Sequence, residues 1–157
     1  MQLAQLQYVP HIDLFLQALR INRERLNSKS KVAIDAKLLK TLLRTLVSCA
    51  PFSEEFYLET YPDIAEAYAA GQIPSLRQHF LDHGYFEGRV GAPAEVDEEF
   101  YTDLYKDVVQ GMLRGDVKSA TDHYDSSGYA EGRTPSAALK PTIDKWLAVL
   151  RDDVARA

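Results

Sequence analysis

Two stretches decide the fold. The first runs from Phe52-Ser53-Glu54-Glu55-Phe56-Tyr57 to Gly84-Tyr85-Phe86-Glu87-Gly88-Arg89, and the second from Val96-Asp97-Glu98-Glu99-Phe100-Tyr101 to Gly128-Tyr129-Ala130-Glu131-Gly132-Arg133. They align without a gap at a constant offset of 44, with 14 of 38 positions identical. Besides those opening and closing blocks, the shared residues are Tyr61/Tyr105, Asp63/Asp107, Gly71/Gly115, Ser75/Ser119 and His79/His123. Gapless self-similarity over one supersecondary unit is the mark of a duplicated repeat.

Within each copy the punctuation is helical. Ser53 and Asp97 are N-caps, whose side-chain oxygens accept the free amides of a first turn, and the two following glutamates suit the positive end of the helix dipole. Phe52 can pack on Tyr57, and Val96 on Tyr101, as hydrophobic staples. Pro62 fits the first turn of a second helix, which should stop at Gly71; the second copy has Lys106 there, leaving that boundary less defined. Ser75 with Gln78, and Ser119 with Asp122, open a third helix, and Gly84 and Gly128 read as left-handed C-terminal glycines. The flanks are amphipathic. Residues 10–27 place Ile12, Phe15, Leu16, Leu19 and Leu26 near one face. After the polar break at 27–30, residues 31–49 gather Leu38, Leu39, Leu42, Leu43, Leu46 and Val47 opposite Lys37, Lys40 and Arg44. The two read as an antiparallel hairpin. A last helix starts near Pro141, with Trp146, Leu147, Leu150 and Val154 turned inward. No convincing strand pattern exists. The fold expectation is therefore all-α: a hairpin (1–51), two tandem helical repeats of about 44 residues (52–95 and 96–136) and a C-terminal helix (137–157), in one compact domain.

Composition narrows the function. Of 157 residues, 46% are apolar and 26% charged, enough for a folded core. No stretch is long and apolar enough to span a bilayer, no secretory signal opens the chain, and a cytoplasmic location is expected. Residues 1–51 carry eight Lys/Arg against three Asp/Glu, the rest ten against twenty, so the parts have opposite sign (+5 and −10). Mutual attraction, or simply two solvated faces, is the simplest reading. The sharper one is a basic patch of Arg20, Arg23, Arg25, Lys37, Lys40 and Arg44, with Lys29 and Lys31, able to neutralise phosphates; the acidic remainder and the lack of a recognition helix speak against nucleic acid.

Catalytic signatures are missing: no Gly-rich phosphate loop, no Gly-x-Ser-x-Gly elbow, no zinc helix. No cofactor and no metal is expected. His79 and His83 share an i,i+4 spacing, but Ser127 replaces the second histidine in the other copy, so His79 and His123 are expected to make a structural hydrogen bond or to pack against the next helix. Cys49, the lone cysteine, is expected to be buried on its leucine-rich helix. Glu87 and Glu131 invite an acid–base reading for a glycan-active enzyme. Arg89 and Arg133, however, can pair with Asp63 and Asp107 of their own copies. Tyrosine is concentrated in the copies. Tyr57, Tyr61, Tyr101 and Tyr105 suit small cores, while Tyr85, Phe86 and Tyr129, beside turns, are expected to be exposed. With Arg89 and Arg133 they form the candidate binding surface.

The pattern Glu-Phe-Tyr, Tyr-Pro-Asp-Ile-Ala, Ser…His-Phe, Gly-Tyr…Glu-Gly-Arg resembles a short helical repeat of bacterial proteins. Such repeats occur beside glycosyltransferase and methyltransferase domains of surface-polysaccharide synthesis and in some large secreted repeat proteins. The resemblance covers roughly residues 52–136, and the second copy departs from it at Lys106, Val109 and Ala130. It implies an accessory, noncatalytic role with a protein or saccharide partner. The leucine face of the hairpin is the expected route to docking or a homo-oligomer.

Overall fold

A computed structural model describes residues 8–151. These are helical, with no strand among them. The elements are α1 (Ile12–Leu19), α2 (Arg23–Leu26), α3 (Ala36–Val47), α4 (Glu54–Thr60), α5 (Pro62–Ala69), α6 (Leu76–His79), α7 (Glu98–Leu104), α8 (Lys106–Arg114), α9 (Ala120–His123) and α10 (Lys140–Leu150). A π-helical turn extends α6 over Phe80–Gly84, and another extends α9 over Tyr124–Gly128. Where the sequence suggested one compact domain, the chain gathers into two compact units that divide after Ala92.

In the first unit α4 lies against α5 and α6. Ser53 accepts the Phe56 amide at 3.2 Å, Pro62 occupies the first turn of α5, and Gly71 follows α5 with φ +73°. Tyr57 is fully buried among Val47, Ile64, Leu76, Phe80 and Leu81. Its ring meets Phe52 at 5.3 Å, Tyr61 at 5.0 Å and Phe80 at 5.8 Å, in the tilted and edge-on geometries that suit the aromatic quadrupole. The second unit builds the same way around Tyr101, with Val108, Ala120 and Tyr124. Asp97 caps the Phe100 amide at 3.0 Å, and α8 begins at Lys106 without a proline.

Several flank expectations change. Residues 10–27 do not form one helix. Arg20 takes φ +54°, ending α1, and Asn22 caps the separate turn α2 through the Arg25 amide. The second helix starts at Ala36 rather than near residue 31, because the Asp35 carboxylate accepts the amides of Lys37 and Leu38. Residues Ile12 and Leu26 are exposed. The packing of α3 runs to the Phe80–Gly84 turn. This seats Val47 and leaves Leu39, Leu42 and Leu46 outward, because a single line of contact covers only one side of a 12-residue helix. Cys49 is exposed, since it lies past the end of the helix. In α10 only Ile143 and Leu147 are half-buried; Trp146 and Leu150 are exposed, and Val154 lies outside the described residues.

Candidate binding surface

Each unit holds a polar lattice, and the two lattices match atom for atom. The Tyr57 hydroxyl bonds His79 Nδ1 at 3.1 Å, and Tyr101 bonds His123 Nδ1 at 3.1 Å. Burial pushes both phenols up to about 12, so they stay protonated across any physiological range. Burial also lowers the His79 pKa, helped by His83 and Arg89 and opposed by Glu87 and Asp63.

Gly84 and Gly128 sit beneath these hydroxyls. They are not the left-handed caps expected from sequence; they lie within the π-helical turns, closed by Tyr85 N–H to Phe80 O and Tyr129 N–H to Tyr124 O, both 2.9 Å. A Cβ at either glycine would overlap the phenol oxygen of Tyr57 or Tyr101. Glycine is required there for room, not for a positive φ. The positive φ belongs to Gly88 (+83°) and Gly132 (+71°) of the Glu-Gly-Arg turns.

Those turns aim their arginines inward. Arg89 grips Asp63 with both terminal nitrogens, at 3.0 and 2.7 Å, and Glu87 through Nε at 3.0 Å. Its guanidinium lies 4.9 Å from the Tyr61 ring centroid, and the Tyr61 hydroxyl accepts the Val90 amide at 2.7 Å. Arg133 does the same with Asp107 (2.9 and 2.6 Å), Glu131 (2.6 Å) and Tyr105 (4.8 Å), whose hydroxyl accepts the Thr134 amide at 2.8 Å. The bidentate bond holds the Asp63 and Asp107 carboxyls below the usual carboxylate range. With all three guanidinium nitrogens bonded to carboxylates of their own unit, Arg89 and Arg133 serve as clamps. Glu87 and Glu131 are tied into the same clamp.

The rest of the candidate surface divides. Tyr85 is half-buried rather than exposed, edge-on to Phe80 at 6.4 Å, because the π turn rolls it back over the core. Phe86 is exposed at its edge, with Lys40 Nζ 4.8 Å from its ring centroid. Tyr129 is 55% exposed and rests on Tyr124.

The basic patch is largely committed within the first unit. Arg44 Nε donates to Asp82 at 2.5 Å, Arg23 pairs with Asp13 at 2.5 Å, and Arg25 donates to the Lys31 carbonyl at 3.3 Å. Lys40 sits on Phe86 and Arg20 ends α1, while Lys37 is exposed. The bonds from Gln78 and Arg44 lower the Asp82 pKa. One ion pair, Arg44–Asp82, thus joins α3 to the helices that follow it. His79 and His83 stack loosely at 5.7 Å, and no cluster of three metal-capable side chains occurs among the described residues.

The seat of α10 is a feature of the tertiary structure. Leu147 and Arg151 lie over Gly132, and Arg151 donates to the Glu131 carbonyl at 2.7 Å. The i,i+4 spacing of Leu147 and Arg151 was the available signal. Comparison with family models, curated proteins and solved structures finds no match to the chain.

Proposed function

We propose that this chain is a noncatalytic adaptor or binding module of bacterial exopolysaccharide or capsule synthesis, acting in the cytoplasm through protein or saccharide contacts. Its architecture on this reading is an N-terminal helical region, two tandem repeats of about 44 residues and a C-terminal helix. The observation that carries the reading is where the reactive groups go. The recurring tyrosines, histidines, arginines and carboxylates are spent on one another inside each unit. Large apolar side chains instead face outward on α3 (Leu39, Leu42, Leu46) and α10 (Trp146, Val149, Leu150). Clustered exposed apolar side chains mark contact surfaces. The α3 stripe also offers a route to a homo-oligomer, since its three cations lie on the other side of the helix. The link to polysaccharide machinery rests on the repeat resemblance.

The test is an affinity capture of the tagged full chain from its native lysate, beside a Leu39→Ser/Leu42→Ser/Leu46→Ser variant. Recovery of a glycosyltransferase or another envelope-glycan component, lost with the variant, supports the adaptor. A stable partner unrelated to envelope glycans overturns the assignment.

A further inference from the structure

The two Glu-Gly-Arg turns have the same backbone. Arg89 N–H reaches Gly84 O and Arg133 N–H reaches Gly128 O, both at 2.8 Å, and the central glycines Gly88 and Gly132 both have positive φ. Their surroundings differ. A Cβ built on Gly132 would lie 2.9 Å from Leu147 Cδ2 and 3.1 Å from an Arg151 terminal nitrogen, whereas one on Gly88 meets nothing within 4 Å. Just beyond the turns, Pro135 and the matching Gly91 are both buried, but Thr134 is buried where Val90 is half-exposed. On the second unit, then, the turn is a seat for a helix. A leucine packs where glycine has no side chain, and an arginine one turn later donates to the carbonyl before it. On the first unit Glu87 and Gly88 of the same turn are exposed, Phe86 carries Lys40 of α3 at 4.8 Å, and no helix among the described residues lies over Gly88.

We propose that the Phe86–Val90 turn of the first unit is a docking site for an amphipathic helix of a partner chain that presents a leucine and an arginine four residues apart. The leucine covers Gly88 and Val90, and the guanidinium donates to the Glu87 carbonyl. The occupant's chemistry is read from α10, which fills the equivalent seat within this chain. This deepens, and rests on, the reading of the chain as a binding module.

The probe is a peptide of residues 138–157, which carries Leu147 and Arg151, added to the isotope-labelled full chain and followed by amide NMR. Saturable 1:1 binding, with shifts centred on residues 84–91 and a Kd of about 0.1–1 mM, supports the site; so small a seat sets that scale. Gly88→Asn should weaken binding at least about tenfold without unfolding the unit, because asparagine tolerates the left-handed backbone while its side chain fills the seat. A peptide with Leu147→Asp should bind as weakly. The companion Gly132→Asn should release α10 of the second unit, seen as faster amide exchange over Lys140–Leu150. No saturable binding at about 1 mM, shifts confined to residues 128–135 through exchange with the chain's own α10, or undiminished binding to Gly88→Asn would each overturn the site. None of these depends on which partner the lysate yields, so the adaptor reading stands or falls separately.

Discussion

The two units share an interior and differ at their edges. Tyr57, His79, Gly84 and the Asp63–Arg89 clamp of the first recur as Tyr101, His123, Gly128 and the Asp107–Arg133 clamp of the second, with hydrogen-bond lengths within about 0.1 Å of each other for the tyrosine–histidine and aspartate–arginine pairs. The differences fall where flanking helices attach. Leu81, Asp82 and Phe86 receive α3 in the first unit. Their counterparts Asp125, Ser126 and Ala130 could not: burial beside Asp122 already raises the Asp125 pKa, and an apolar helix face laid there would desolvate it further. The comparison teaches that a small helical unit fixes its own geometry with a few buried polar pairs and leaves its rim free to choose a covering helix.

The largest effect should come from breaking the shared interior. Gly84→Ala or Gly128→Ala drives a methyl into a buried phenol oxygen and should cost its own unit about 3 kcal/mol while sparing the other. Hydrogen exchange read unit by unit in denaturant checks this. Adding Tyr57→Phe to Gly84→Ala should recover at least about 1 kcal/mol, since the double change removes the overlap. Equal losses in both units would mean that they do not fold independently.

An intermediate effect should come from the rim. Removing both Arg44 and Phe86 as alanines strips the ion pair and the cation–π contact that hold α3, and should loosen α3 and lower first-unit stability by about 1–2 kcal/mol. The half-exposed ion pair contributes the smaller share. Exchange over Ala36–Val47 should accelerate while exchange over Glu98–Arg114 stays unchanged.

The smallest should be a pH effect at His79. Its folded pKa lies below the ordinary 6.5, so folding favours the neutral ring. That contribution is complete above pH 6.5 and is lost as pH falls through the folded pKa. The loss should stay under about 1 kcal/mol, because the ring is half-exposed and screened. His83→Ser, the residue found in the second unit, should shrink it by removing the neighbouring like charge. Denaturant midpoints of the first unit at pH 7.5 and 5.5 give the comparison.

Much of this was legible in the residues themselves. The 44-residue offset, the Ser53, Asp97, Ser75 and Ser119 caps, and the pairing of each arginine with an aspartate of its own copy follow from local stereochemistry and from the recurrence of chemically matched residues. The misses share a cause. Gly84 and Gly128 look like caps from their place after a helix, but their reason is a phenol oxygen contributed by a residue 27 positions earlier. Leu39, Leu42, Leu46, Trp146 and Leu150 look inward by periodicity, and Cys49 by its leucine-rich company. Periodicity tells which side of a helix is apolar; it does not tell whether anything lies opposite.

Sequence by itself therefore determined that the chain is helical, where most helices begin, and which charged pairs would close each turn, because these are set by short-range backbone and side-chain geometry. Only the tertiary structure decided which glycines make room and which make turns, and that α3 attaches through Lys40 and Arg44 while α10 rests on Gly132. Those outcomes depend on volumes and charges brought together from distant positions, and packing has no representation in the order of residues along a single segment.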